Sequence, residues 1–184
     1  MKISSWGKRA KIEAATSTLI TLCAAACAAP VASARPTTAL AGSSSRPDPV
    51  AFAFDSLDDR LLTSDSTRGR PTVLAFVTTA SLAAQAQVDF LVAMAKRDGD
   101  QIRYGVVALE PPENRELVEL YVRALSIGFP VAMADLQTLA GVSAFGDVRS
   151  VPVTVVLDSV GRIVWRVDGR IARSDEIRAA MLGL

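Results

Sequence analysis

The chain has 184 residues, half of them hydrophobic, enough for one domain of ordinary size with a substantial core and further segments besides. Twenty basic residues against nineteen acidic leave a formal charge of +1, but Lys2, Lys8, Arg9 and Lys11 face Glu13 alone at the start. Beyond residue 34 there are 16 basic and 18 acidic residues, a near-neutral body without a basic run, which argues against nucleic-acid binding.

Residues 1–34 read as an export signal. The basic stretch MKISSWGKRAK precedes an apolar run, AATSTLITLCAAACAA, too short and Ala-rich for a spanning helix, and Ala32-Ser33-Ala34 offers a small-x-small cleavage site. Cleavage after Ala34 is the expectation. Lipidation at Cys27 is the alternative, although Ala24 stands where lipoprotein signals usually carry a branched apolar residue. Either route implies export to a periplasmic or extracellular location, with membrane attachment only through a lipid on Cys27 or an uncleaved signal. The only cysteines are Cys23 and Cys27, and there is no histidine. A chain cut after Ala34 therefore has no disulfide, no Cys/His metal site, no thiol nucleophile and no Ser-His-Asp triad. No cofactor and no metal are expected.

Residues 35–49, RPTTALAGSSSRPDP, have the composition of a flexible linker, and the domain is expected over 50–184. It opens with two short strands around Asp58-Asp59, then a polar loop up to Arg70. PTVLAFVT (71–78) is a continuous apolar run, as in a central strand covered on both faces. A helix follows over 81–97, with Ser81 as its cap and Ala83, Gln87, Phe90, Leu91 and Met94 on the inward face. QIRYGVVALE (101–110) is a second central strand. The next helix starts after Pro111-Pro112 and stops at Gly128, with Leu117, Leu120, Tyr121, Ala124 and Leu125 as its buried stripe. FPVAMAD is a third core strand, and LQTLAGV a short helix closed by Gly141. VPVTVVLD and RIVWRVDG form a hairpin through Ser159-Val160-Gly161. The last helix, RSDEIRAAMLGL, takes Ser174 as its cap. Asp135 and Asp158, at strand ends, are expected to cap or to form turns. The order is a hairpin followed by β-α-β-α-β-α-β-β-α. It predicts an α/β fold with a mixed central sheet flanked by helices and an N-terminal β-hairpin extension.

From residue 50 onward, two segments carry a resemblance. FDSLDDRLLTSDSTRGRPTVLAF is similar to the opening hairpin and first core strand of the TlpA-like thiol:disulfide oxidoreductases, within the redoxin and alkyl hydroperoxide reductase superfamily. FPVAMADLQTLAGVSAFGDVRSVPVTVVLDSVGRIVWRVDG is similar to that group's Phe-Pro-Val strand, Val-Pro-Thr turn and Asp-x-x-Gly-x-Ile hairpin. The resemblance implies a thioredoxin-like fold with a Trp-Cys-x-x-Cys site between the first core strand and its helix. Here the Trp position is Ala80, the nucleophilic Cys is Ser81, the spacers are Leu82 and Ala83, and the resolving Cys is Ala84. The buried acid of the group falls on Gln87, and its cis-proline on Pro152. Thr78-x-x-Ser81 is similar to the Thr-x-x-Cys of peroxiredoxins and lacks the same sulfur.

Thiol exchange needs a thiolate that attacks a disulfide, and a helix N-terminus makes that thiolate available. A serine hydroxyl has no such redox couple. Read alone, Ser81 is a helix cap, Gln87 a hydrogen-bonded amide and Pro152 a loop-fixing residue. Three functions remain. A redox-inactive module binding an extended peptide or protein at Ser81, Val151 and Pro152 by β-augmentation is preferred. A purely structural domain is the second. A thiol:disulfide oxidoreductase or peroxidase, as the resemblance implies, is the third and requires a cysteine that the mature chain lacks.

Overall fold

The structure, a computed structural model, describes residues 47–183. The expectations placed on residues 1–46, including Cys23, Cys27, the cut after Ala34 and most of the linker, lie outside the described residues.

Strands β1 (Ala53–Ser56) and β2 (Leu62–Thr63) form the opening hairpin. Residues 64–70 are not wholly loop. Ser64–Thr67 make a one-turn helix, α1, because Thr63 and Ser66 cap each other: Thr63 Oγ1 accepts from the Ser66 N–H, and Ser66 Oγ accepts from the Thr63 N–H. Then come β3 (Thr72–Val77), α2 (Leu82–Asp98), β4 (Arg103–Ala108), α3 (Arg115–Ala124), β5 (Val131–Met133), α4 (Leu136–Leu139), β6 (Val153–Leu157), β7 (Ile163–Asp168) and α5 (Ser174–Leu182).

The seven strands form one sheet in the order β2-β1-β5-β4-β3-β6-β7. β3 is parallel to β4, and β4 to β5; every other pair is antiparallel. All six residues of β3 are buried, as its apolar run predicts for a strand covered on both faces. Alternation divides them: Val73, Ala75 and Val77 join the core under α2, α3 and α5, whereas Leu74 and Phe76 join a second core with Phe54, Phe145 and Val148. Phe52, Phe54, Phe76 and Phe145 form an aromatic cluster there, with Phe145 5.1 Å from both Phe52 and Phe76 between ring centres. This cluster anchors the 139–150 segment on the sheet. Gly105 belongs to the same design, because a Cβ on it would sit 2.7 Å from Leu62 Cδ1.

Both long helices follow the expected faces in part: Gln87, Leu91 and Met94 of α2 and Tyr121 and Leu125 of α3 face the core, and the other expected residues do not. α2 buries Ala84, Gln87, Val88, Leu91, Val92 and Met94, while Ala83 is half-buried and Phe90 is 49% exposed. α3 buries Val118, with Tyr121, Val122 and Leu125 packed beside it, and leaves Leu117, Leu120 and Ala124 exposed. Its sequence offers two apolar stripes one residue apart, so the period alone cannot choose between them. The helix also stops before Gly128. Ser126 takes the left-handed conformation (φ 52°), and the Ile127 N–H reaches back to the Val122 carbonyl in a Schellman closure. At α5, Ser174 is the first helical residue rather than the cap. Arg173 holds the cap position, its N–H donating to the Glu176 carboxylate. Asp135 caps α4 through the Thr138 N–H, and Asp158 closes the β6–β7 turn by accepting from Val160 and Arg162 N–H groups. Both follow the expectation.

Candidate functional site

The carboxyl ends of β3, β4 and β5 and the start of β6 lie at one edge of the sheet, as the parallel and antiparallel pairings require. Ser81 stands at this edge as the N-cap of the 17-residue α2, its Oγ accepting from the Ala84 N–H at 3.2 Å. The Ser81 N–H in turn donates to the Thr78 carbonyl, which makes 78–81 a tight turn. Ala80 is exposed, Leu82 is 81% exposed, Ala83 is half-buried and Ala84 is fully buried. The sequence thus places a small apolar surface and a capping hydroxyl at a helix N-terminus carrying roughly half a positive charge. Among the described residues no carboxylate or other base hydrogen-bonds Ser81, so its hydroxyl has no partner that could take its proton.

Pro152 lies across from this turn. Phe76 pairs with Val153, so the register carried one step further sets Val77 opposite Pro152. The Val151–Pro152 peptide is cis. Pro152 is buried, Val151 is half-buried, and among the described residues neither the N–H nor the C=O of Val151 has a backbone hydrogen-bond partner. The neighbouring groups are tied down: the Gly169 N–H donates to the carbonyls of Ser150 (2.7 Å) and Pro152 (3.0 Å). Arg166 of β7 donates to the Phe145 and Asp147 carbonyls, and Asp147 is bracketed by Arg149, whose guanidinium and N–H hold its carboxyl down at about 2. The loop that presents Val151 is therefore fixed from the core by Phe145 and from the sheet by Arg166.

Gln87 is fully buried. Its Oε1 accepts from the Ala172 N–H (2.5 Å) and its Nε2 donates to the Ala172 carbonyl (3.4 Å), so one amide closes both backbone groups of the residue leading into α5. A carboxylate could accept there but not donate.

One residue of this edge is missing from the sequence reading. Glu110, 9% exposed, accepts from the Thr79 N–H (2.8 Å), the Thr79 hydroxyl (2.6 Å) and Asn114 Nδ2 (3.1 Å). Burial pushes its carboxyl up, but the Thr79 and Asn114 donors outweigh burial and hold it below the ordinary value. Glu110 therefore clamps the 78–81 turn to the end of β4 as an anion. Its position, an acid closing the apolar run of the second core strand, could have marked Glu110 as a candidate at the carboxyl edge of the sheet, but not its partner Thr79. Ala80, Ser81, Leu82, Ala83 and Ala84 form one continuous junction with Gln87 beneath it on the same helix, and the strand register brings Val151 and Pro152 to the same edge.

No family model matches the chain, and no curated protein matches it either. Solved structures do, and they define the class: a thioredoxin-like fold. A DsbF homologue from Corynebacterium diphtheriae is similar with a TM-score of 0.64 and 17% identity, over 75% of this chain and 87% of that one. A thiol:disulfide interchange protein of the thioredoxin family from Chlorobium tepidum is similar with a TM-score of 0.62 and 21% identity, over 74% and 96%. A secreted disulfide oxidoreductase from Mycobacterium tuberculosis is similar with a TM-score of 0.59 and 17% identity, over 73% and 96%. At these identities the likeness is one of fold.

Proposed function

We propose that this protein is an exported thioredoxin-fold module that binds an extended peptide segment and performs no thiol chemistry. The observation that carries the reading is Val151. Its N–H and C=O are unpaired among the described residues, beside a cis-proline and next to the Ser81 turn. An extended strand laid against Val151 would gain a reciprocal pair of backbone hydrogen bonds, as in recognition by strand addition. Exposed Leu82 and half-buried Val151 would supply apolar contact for one of its side chains. Glu110 and Arg166 support the reading because they hold the two loops rigid, which lowers the ordering cost of binding.

The solved neighbours are named for disulfide exchange, and that chemistry is not carried over. Residues 80–84 read Ala-Ser-Leu-Ala-Ala, and the chain's two cysteines stand at 23 and 27. Export is proposed from the basic, apolar and Ala-Ser-Ala succession, and the secreted Mycobacterium tuberculosis neighbour is consistent with it. The test is a peptide-display selection followed by an N-methyl scan of a selected peptide. Methylation at one or two alternate amides should weaken binding at least about tenfold, the worth of one lost hydrogen bond in a desolvated site. A peptide that tolerates methylation everywhere would rule out binding through the backbone.

A further inference from the structure

A concavity lies at the edge of the sheet opposite Ser81, where β3 and β4 begin and α2 ends. It encloses about 480 Å³, within the range of small-molecule sites. Its accessible apolar lining is exposed Leu61 with half-buried Ala95, Ile102 and Pro130, and Leu62, Val92, Tyr104 and Phe129 of the core are buried behind them. Its rim is cationic. Arg60, Arg70, Lys96 and Arg103 line it, with Asp100 as the one acidic side chain of the lining. This asymmetry stands out in a domain whose acids outnumber its bases.

Three of the four rim cations are not used in ion pairs among the described residues. Most of the domain's arginines are committed to carboxylates, as Arg115 is to Asp55, Arg166 to Asp168 and Arg170 to Glu176. Arg60 is paired with Asp58. Among the described residues Arg70, Lys96 and Arg103 form no ion pair. Arg70 spends one donor on the Asp100 carbonyl (2.5 Å), which leaves further N–H groups for an anion. Lys96 also sits in the last turn of α2, where a cation is favoured, but that role needs no pocket.

We infer that this cavity binds a single-chain anionic amphiphile, with its carboxylate or phosphate at the Arg70–Lys96–Arg103 rim and its hydrocarbon body along Leu61, Ala95, Ile102 and Pro130. Apolar walls with a few converging charges are what such a ligand needs, because the body supplies burial and the head fixes orientation. The site is separate from the Ser81–Val151 edge and does not rest on the peptide-binding reading.

The test uses the full chain and monomeric dodecanoate, kept below its micelle concentration, displacing the fluorescent anion anilinonaphthalene sulfonate. Dodecanoate should displace the dye saturably, and dodecanol should do so at least about tenfold less well, since one charge-assisted contact is worth about that factor. The paired change Arg70→Glu with Arg103→Glu should abolish the preference for the acid. Arg173→Glu, an exposed cation at the start of α5 and outside the lining, should leave it intact. Circular dichroism confirms that each variant is folded, and the dodecanoate–dodecanol comparison on the unmodified chain does not depend on any variant. Equal displacement by acid and alcohol, or no displacement, overturns the inference. So does binding to anionic phospholipid vesicles without binding of the monomer, which would make the rim a surface contact rather than a site.

Discussion

Replacing Gln87 by Glu should make the stability of this protein pH-dependent in a way the parent is not. The side chain keeps its shape, is fully buried, and faces both the N–H and the C=O of Ala172. The new carboxyl, when protonated, reproduces both hydrogen bonds, accepting with one oxygen and donating with the other. When ionised it cannot donate, sets its charge against the Ala172 carbonyl, and is desolvated. The folded-state pKa is thus raised above the unfolded value of about 4.3. The sign follows: stability linked to the bound proton is fully present below the unfolded value and is lost as pH rises toward the folded one. Each pH unit in that window removes about 1.36 kcal/mol, so a rise of about two to three units costs roughly 3–4 kcal/mol by pH 7.5. At about 3 °C per kcal/mol for a domain of this size, the melting temperature should fall by roughly 10 °C relative to the parent at pH 7.5, and by little at pH 4. Paired thermal melts of parent and variant across that range measure it. A difference that does not change between pH 4 and 7.5 would refute the account of Gln87 as a two-way clamp on Ala172.

Three further outcomes are expected. Glu110→Ala should cost about 2–4 kcal/mol in urea unfolding at pH 7, because the Thr79 N–H and hydroxyl lose their acceptor; since the folded pKa of Glu110 is lowered, this gap should narrow as pH falls from the unfolded value of about 4.3 through the folded one. Ser126→Gly should be stabilising by about 1 kcal/mol in the same assay, since it relieves a left-handed non-glycine residue at a helix stop; a loss of stability would mean that the Ser126 side chain has a role its backbone does not reveal. Ser81→Cys with Ala84→Cys, in a chain whose Cys23 and Cys27 are changed to Ser, should close a disulfide under mild oxidation, because the cap and the third helical residue share one turn; thiol titration that finds both groups free after oxidation counts against that geometry.

Much of this fold is legible residue by residue. The buried run VLAFV, the Asp135 cap, the Asp158 turn and the order of strands follow from local chemistry, and the structure repeats them. What fails is phase. The α3 stripe drawn from period alone holds at Tyr121 and Leu125 and fails at Leu117, Leu120 and Ala124, because packing into the core turns Val118 and Val122 inward instead. In α2, Phe90 falls at the edge of the apolar face, so it could be drawn inward on paper while the fold turns it out. At the site, Ser81 as a cap and Gln87 as a bonded amide were readable from residue type and position. The Glu110–Thr79 contact joins residues 31 apart and was not, since nothing local in either segment announces the other. The cationic rim is hidden for a similar reason: Arg70 stands far in the chain from Lys96 and Arg103 and meets them only through the β3–α2–β4 crossover.

The central claim, peptide binding at the Val151–Pro152 edge without thiol chemistry, is tested most directly by amide hydrogen exchange at single-residue resolution, with and without a display-selected peptide. On this account the Val151 amide exchanges freely in the unbound protein and becomes strongly protected on binding, with smaller changes over 78–82. Protection confined to another surface, or a Val151 amide already protected without peptide, would contradict it.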